Sequence, residues 1–150
     1  MPNLSLVLAR WTSGLLLCAA SATWAQELVS IRVGAGNLRA APGMSGEVLW
    51  QLARGYPLEV LGRQGRWLRV RDFEGDEGWV ASYITGPQPH HVVRVRAARL
   101  RQGPGEGYPE VGLAGYGQVL QTELRAAEWV RVKQPQGGPA WVARDLLWGW

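Results

Sequence analysis

Hydrophobic and polar residues alternate along several short segments of the chain. Residues 29–33 read VSIRV, residues 58–62 read LEVLG and residues 67–71 read WLRVR. In each segment aliphatic side chains occupy alternate positions, as Leu68 and Val70 do in the third. This period of two, with one apolar face, is typical of half-buried β-strands. Clusters of Gly and Pro separate the segments, and no apolar stripe at helical spacing follows residue 26. The pattern predicts an all-β protein of short strands.

A long phrase occurs twice in the chain. WLRVRDFEGDEGWVA, at residues 67–81, returns 62 positions later as WVRVKQPQGGPAWVA, at residues 129–143. The same offset relates Gly55 to Gly117 and Leu58 to Leu120. A period of this size in 150 residues indicates a tandem duplication. Each copy has room for about five strands, which protect their edges best by closing into a small barrel.

The first 25 residues are predicted to be a signal peptide. Arg10 is followed by an uncharged apolar stretch, too short to span a bilayer, and then by small residues. Cleavage is expected after Ala25 or, alternatively, after Ala22. A lipid-modified cysteine is preceded by a small residue, whereas Leu17 precedes Cys18. Cys18 is therefore interpreted as part of the removed segment. No transmembrane span is expected after removal.

The repeat and the prolines between its copies predict the domain boundaries. Pro87 and Pro89 favour a short extended connector, to which His90 and His91 are also assigned. Two adjacent histidines on a strand point to opposite faces, so they are not expected to bind a metal. The predicted units are the signal peptide at 1–25, a first barrel at 28–86, a linker at 87–91 and a second barrel at 92–150.

Four motifs of the first copy carry a family resemblance. They are Asn37-Leu38-Arg39 with Pro42, Leu52 with Gly55, Gly65-x-Trp67 with Val70, and Gly78-Trp79-Val80. In these motifs the chain resembles the bacterial SH3-type domain. The second copy departs from them at Arg99, Ala127 and Ala140, so the two copies need not share a ligand. The resemblance implies a small antiparallel barrel in an exported protein, acting as a cell-wall-targeting or interaction module.

The repeated hairpin supplies the candidate ligand-binding residues. If Leu68, Val70 and Val80 face the core, alternation turns the side chains between them outward. Indoles can bind sugar faces or extended peptides, and arginine can hold a carboxylate through two parallel bonds. Peptidoglycan offers all three groups and is the expected ligand. The candidate residues are Trp67, Arg69 and Trp79 in the first copy and Trp129, Arg131 and Trp141 in the second. The structural alternative is that these tryptophans cap the barrel cores.

Three further tryptophans favour a second hypothesis. Trp50 has no counterpart in the second copy, and Trp148 and Trp150 lie beyond the matched core. Aromatic side chains are enriched at the energetic centres of interfaces. They could anchor another envelope protein, which would make the chain a periplasmic adaptor, or they could pack back against a barrel. A simple spacer without a ligand is the third hypothesis.

Charge and residue inventory argue against other functions. The net charge is +4, and its excess lies in the second copy, around Arg94 to Arg101. We interpret this patch as a solvated strand face rather than a nucleic-acid site, since an exported protein seldom meets nucleic acid. With Cys18 removed, two histidines cannot build a catalytic triad or a zinc cage. Asp72, Glu74 and Asp76 are interpreted as an exposed turn. We therefore expect a non-catalytic protein without cofactor or metal, located in the periplasm or secreted.

Overall fold

The computed structural model describes residues 25–134 and 137–150. The predicted signal peptide, apart from Ala25, lies outside the described residues. Within these two described ranges, no helix is both long enough and apolar enough to cross a bilayer.

The first sheet contains seven antiparallel strands. Its spatial order is β3-β2-β6-β5-β4-β1-β7. A 3-10 turn at Ser82–Ile84 leads into the last strand. The strands are β1 (Leu28–Ile31), β2 (Ala35–Arg39), β3 (Val48–Ala53), β4 (Pro57–Gln64), β5 (Trp67–Arg71), β6 (Glu77–Ala81) and β7 (Thr85–Gly86).

The second sheet repeats this arrangement strand for strand. Its order is β10-β9-β13-β12-β11-β8-β14, and its 3-10 turn is Arg144–Leu146. The strands are β8 (His90–Val93), β9 (Ala97–Arg101), β10 (Glu110–Gly115), β11 (Val119–Arg125), β12 (Trp129–Lys133), β13 (Pro139–Ala143) and β14 (Leu147–Gly149).

Each sheet encloses a hydrophobic core of its own. The inward positions of β5 and β6 supply Leu68, Val70 and Val80, all fully or almost fully buried, and they pack with Leu38 and Leu58. Equivalent residues of the second sheet, among them Val130, Val132 and Val142, form a separate cluster. The prediction of an all-β chain folded as two small tandem barrels is confirmed.

The structure has seven strands in each sheet rather than about five. The hydrophobic pattern did not predict strand β3, because its first four residues, 48–51, are all exposed and show no alternation. Strand β7 has only two residues, which pair with Ser30 and Ile31 of β1. His90 and His91, assigned above to the linker, lie in β8 and pair with β11.

The two barrels touch through turns that the repeat does not share. The ring of Phe73, in the β5–β6 turn, lies 6.3 Å from that of Tyr56 and 5.4 Å, edge to face, from that of Tyr116. The Tyr116 hydroxyl donates to Glu74 Oε1 at 2.5 Å. Tyr116 belongs to the second barrel and the other three residues to the first, so the Phe73–Tyr116 and Tyr116–Glu74 contacts join the barrels.

A glycine of the first barrel lies close to side chains of the second. Gly55, in the β3–β4 turn, has φ +83°, and a Cβ there would lie 2.6 Å from Cδ2 of His90. Gly117 is its counterpart in the second barrel, with φ +75°, but a Cβ there would meet nothing within 4 Å. The first turn therefore needs glycine for conformation and for space, whereas the second needs it for conformation alone.

We predict that Gly55→Ala destabilises the protein more than Gly117→Ala. Both substitutions place a side chain at positive φ, which costs about 1–2 kcal/mol. Only Gly55→Ala also pushes against the His90 ring and loosens the contact between the barrels. Urea unfolding would measure the two changes in free energy, with Gly117→Ala as the matched control. Equal losses would mean that the Gly55–His90 contact contributes nothing to stability.

A buried histidine ties together the strands of the second barrel. His91 of β8 is 2% exposed, and its Nδ1 lies 2.6 Å from the Thr122 hydroxyl of β11. Burial lowers the pKa of His91 from its ordinary value of 6.5 to about 4. A hydrogen bond with the Trp150 backbone opposes this shift, while the positive charges of Arg125 and Arg144 add to it. The imidazole is therefore neutral in the folded protein at neutral pH.

Because His91 is buried and neutral, we predict that the second barrel loses stability at acidic pH. Because the folded pKa lies below the unfolded one, the unfolded chain takes up a proton first as the pH falls. Stability is therefore unaffected above pH 6.5 and declines between pH 6.5 and about 4, by up to about 3 kcal/mol. Thermal unfolding followed across this range should show the loss. The difference should vanish in His91→Gln, which keeps polar contact with Thr122; a variant as acid-sensitive as the wild type would refute the assignment.

Candidate functional site

The hairpin of β5 and β6 turns its tryptophans and arginines away from the core. Leu68 pairs with Val80 on the inner face, and Arg69 pairs with Trp79 on the outer face. Trp67 lies on the same outer face, two residues before Arg69. The second hairpin repeats this register, with Arg131 opposite Trp141. All four tryptophans of the repeated phrase, Trp67, Trp79, Trp129 and Trp141, are half-buried.

Two of these tryptophans lie between arginine side chains. Trp79 has Arg69 opposite it on β5 and Arg39 opposite it on β2. Trp141 has Arg131 on one side and Arg101 on the other. The aliphatic stems of directly opposed residues are close enough to cover an indole. The register therefore places arginine stems where they can cover the indoles of Trp79 and Trp141.

The predicted ligand-binding arginines already have acidic neighbours. Arg69 Nη2 donates to Glu77 Oε2 at 2.6 Å, and both side chains are exposed to solvent. In the second barrel, Arg131 Nε lies 3.1 Å from Glu123 Oε2. An exposed pair such as Arg69–Glu77 exchanges readily, since it contributes at most about 1 kcal/mol, whereas Arg131 Nε is buried beside Glu123. A ligand carboxylate would have to compete with Glu77 or Glu123 for these guanidinium groups.

The first barrel has a groove beside Trp67. The groove has a volume of about 100 Å³ and runs between β2, the loop that follows it, and the 3-10 turn. The alternating residues of β2 that point away from the core form one wall. Its lining residues are Ala35, Asn37, Arg39, Met44, Trp67, Ala81, Tyr83 and Ile84.

The second barrel has the equivalent groove beside Trp129. This groove has a volume of about 210 Å³. Each of its lining residues stands 62 positions after a residue that lines the groove at Trp67. The lining residues are Ala97, Arg99, Arg101, Glu106, Trp129, Ala143 and Leu146. The fold therefore builds one groove twice, with Trp67 and Trp129 in matching places, whereas Trp79 and Trp141 line neither copy.

An arginine holds one wall of each groove in place. Arg39 Nη1 donates to the carbonyl oxygens of Met44 and Gly46, at 3.0 and 2.7 Å. Arg101 Nη1 does the same for Glu106 and Tyr108 in the second barrel, at 2.9 and 3.0 Å. Each arginine thus fixes the loop between the second and third strands of its barrel. This contact explains why the Leu-Arg pair occurs in both copies.

Sequence reasoning did not identify the rim residues of the grooves. Asn37, Met44 and Tyr83 come from β2, from a loop and from the 3-10 turn, and they differ from their counterparts Arg99, Glu106 and Asp145. Searching the repeat for shared residues passes over such positions. A search for charge changes between the copies would have found them.

The three other predicted tryptophans do not lie together. Trp50 lies on β3, an edge strand, and is 57% exposed, next to the exposed residues Val48 and Leu49. Trp148 lies in β14, pairs with Val92 and is half-buried, and Trp150 is half-buried beside His91. The C-terminal pair is thus half-buried in the second barrel, while Trp50 is open to solvent.

The acidic turn is not the fully exposed feature that the sequence suggested. Asp72 is 6% exposed, and its Oδ1 accepts hydrogen bonds from the backbone N–H groups of Glu74 and Asp76, both at 2.9 Å. Burial raises the pKa of Asp72, although these two bonds lower it. Burial also raises the pKa of Tyr56, and the Asp72 charge adds to that shift. The expectation of a solvated turn is wrong for Asp72, which organises the turn instead.

These features define a small all-β module with a repeated surface groove. Comparison with known families places it more closely. The family model for the bacterial SH3 domain matches residues 34–85 and, a second time, residues 96–147. The chain belongs to this bacterial SH3 domain family.

Individual relatives match this chain at low identity. A Bacillus subtilis (strain 168) protein named as an N-acetylmuramoyl-L-alanine amidase, YrvJ, is 22% identical over 148 residues. The match covers 91% of this chain, which spans only 28% of that protein's length. Among solved structures, an NlpC/P60 family protein from Bacillus cereus ATCC 10987 is 17% identical, with a TM-score of 0.39, and the match covers 83% of this chain and 56% of that one. NlpC1 from Trichomonas vaginalis is 15% identical, with a TM-score of 0.38, over 91% of this chain and 50% of that one.

We predict that Asp72→Ala destabilises the first barrel by about 1–3 kcal/mol, since two backbone donors lose their acceptor. Asp72→Asn should cost less, because its amide oxygen can still accept. Asp76→Ala, in the same turn but exposed, is the matched control and should change stability by no more than about 0.5 kcal/mol. Chemical denaturation of the three variants measures these differences. Similar losses for Asp72→Ala and Asp76→Ala would show that the turn does not depend on the buried carboxylate.

Proposed function

We propose that the chain is an exported, non-catalytic binding protein that recognises peptidoglycan or cell-wall peptides through its two barrels. One observation carries the proposal: the same groove is built twice, on Trp67 and on Trp129, from residues related by a constant offset. A barrel core must recur in a duplicated fold. A surface groove with a half-buried indole at the same place in both copies is a feature that ligand binding explains.

The chemistry of the grooves suits a carbohydrate or peptide ligand. A half-buried indole offers an apolar face that can pack against a sugar ring or an extended peptide, at little entropic cost. Asn37 and Arg39 in the first groove, and Arg99 and Arg101 in the second, line the same spaces with hydrogen-bond donors. Peptidoglycan contains sugar rings, peptides and free carboxylates, so it meets both kinds of surface.

The family and the curated relative support a role at the cell wall. The relative is named for an enzyme that acts on an N-acetylmuramoyl-L-alanine bond. Since this chain corresponds to about a quarter of that protein, we carry over the context and not the catalysis. His91 is buried against Thr122 and His90 packs on Gly55, so both histidines are engaged in the fold.

The proposed location follows from the predicted signal peptide at residues 1–25. Cleavage of that segment would release the two barrels into the periplasm or the medium. Cell-wall polymers are found there, and nucleic acid is not an expected partner. Fractionation of the producing cells would test the location independently of any ligand.

One observation favours the adaptor alternative. Trp50 is 57% exposed on an edge strand, where Val48 and Leu49 are exposed as well. An edge strand with apolar side chains can pair with a strand of another protein. In this alternative the partner is an envelope protein, and Trp50, together with Trp148 and Trp150, provides the predicted anchor. Arg69, Trp79, Arg131 and Trp141 stay predicted ligand contacts in the first proposal.

We predict that Trp67→Ala and Trp129→Ala each weaken sedimentation of the protein with purified cell-wall sacculi, and that the double variant abolishes it. Losing one aromatic contact should reduce affinity about 5- to 30-fold, the effect of truncating an aromatic anchor. Trp50→Ala is the control and should bind sacculi normally. If Trp50→Ala alone loses its binding partners while the groove variants behave as wild type, the adaptor function is correct instead.

A further inference from the structure

Three residues that line the groove at Trp129, namely Glu106, Trp129 and Ala143, also line a second, much larger space, which we call the extension of the groove. This extension has a volume of about 810 Å³, within the range of small-ligand sites. It lies between the β11–β12 turn, the 3-10 turn and the loop after β9. Five charged side chains line it together with Trp129: Arg94, Glu106, Glu128, Arg144 and Asp145.

Comparison with the first barrel shows that these charges are not part of the fold. The positions 62 residues earlier hold Arg32, Met44, Arg66, Ser82 and Tyr83. The first barrel therefore has two cations and no carboxylate there, whereas the second has two cations and three carboxylates. Both barrels have the same strand order, so the fold does not require the acidic residues. A bound ligand would account for their presence beside Trp129.

The five charges also lack ion-pair partners among the residues that the structure describes. Elsewhere arginines pair with nearby acids, as Arg69 does with Glu77 and Arg99 with Glu110. Across residues 25–134 and 137–150, no ion pair within 4.0 Å involves any of these five groove residues. Arg144 makes only a 3.5 Å contact with the carbonyl of Ala127. Both signs of charge are thus open to a ligand in the same groove.

We propose that the extended groove at Trp129 binds the zwitterionic end of a peptide, which carries a free ammonium and a free carboxylate. The carboxylates of Glu106, Glu128 and Asp145 would receive the ammonium. The guanidinium groups of Arg94 and Arg144 would receive the carboxylate, and the indole would pack against the aliphatic part between them. The inference rests on the proposed function and specifies the ligand of the second barrel.

The charge balance selects this ligand over simpler ones. Three carboxylates against two guanidiniums give the lining a net charge of −1, which disfavours a purely anionic ligand such as a phosphate. A neutral sugar would leave all five charges without a counterpart. At the equivalent positions of the first barrel, Met44, Arg66 and Tyr83 replace the three acids, so no carboxylate is present there to receive an ammonium. The two barrels therefore recognise different parts of a cell-wall polymer.

Matched peptides test this assignment on the purified protein. The probe is N-acetyl-Ala-Ala-Lys, whose last residue carries both a free ammonium and a free carboxylate. The controls are the same peptide acetylated on the lysine amine and the same peptide as a C-terminal amide. NMR titration of the Trp129 indole N–H reports binding at the groove. We expect at least about tenfold weaker binding of the lysine-acetylated peptide and a several-fold loss for the amide.

Variants of the groove complete the test. Glu128→Gln and Asp145→Asn conserve shape, and both positions are exposed, so folding should be unaffected. Each should weaken binding of the free-amine peptide several-fold and leave the acetylated peptide unchanged, whereas Glu47→Gln, an exposed control in the first barrel, should change neither. Equal binding of all three peptides, or no response at Trp129, overturns the assignment. Sedimentation with sacculi distinguishes failure of this assignment from failure of the proposed function. If the peptide test fails but the protein still sediments with sacculi, only the assignment is wrong. If sedimentation is absent as well, the assignment and the proposed function are both wrong.

Discussion

The pairing register of β5 with β6, repeated by β12 with β13, determines the chemistry of this protein. Leu68 opposite Val80 fills the core, and the same register places Arg69 opposite Trp79 on the outer face. A slip of one residue would bury the arginines and expose the aliphatic side chains, at a prohibitive cost in free energy. The hydrophobic effect therefore fixes the outward direction of the indoles as firmly as it fixes the core. The positions of Trp67 and Trp129 beside their grooves follow from this constraint.

Duplication preserved the barrel and changed the turns. Tyr56 and Tyr116 both pack near Phe73 at the contact between the barrels, and their counterparts in the opposite copy are Gln118 and Arg54. Two identical barrels joined head to tail would present the same turns and lack this complementarity. The change in the turns gave one barrel a surface that fits the other. The same freedom in loop sequences allowed the rims of the two grooves to acquire different charges, because neither feature disturbs the core.

The sequence predicted the fold better than the site. Alternation in VSIRV and WLRVR, together with the 62-residue repeat, was enough for two all-β barrels, since inward positions are set by local pattern. Strand β3 was missed because pairing with β2, not burial, holds its exposed residues. Asp72 was misjudged because a local pattern cannot show that a turn carboxylate bonds its own backbone. The groove rims were missed because Met44 and Tyr83 meet only through tertiary contacts.

Docking of the barrels affects how the two proposed sites would bind one polymer together. A flexible linker would let each groove find its ligand independently, with an effective concentration set by linker length. Here the Gly55–His90 approach and the Tyr116–Glu74 hydrogen bond restrict such motion. The entropic cost of orienting the second groove is then incurred during folding and not during ligand binding. If both grooves bind as proposed, a polymer whose two recognised groups match the spacing of the grooves would bind with avidity, and one with another spacing would bind through a single groove. Docking of the barrels would then add selectivity for polymer geometry to the chemical selectivity proposed for each groove.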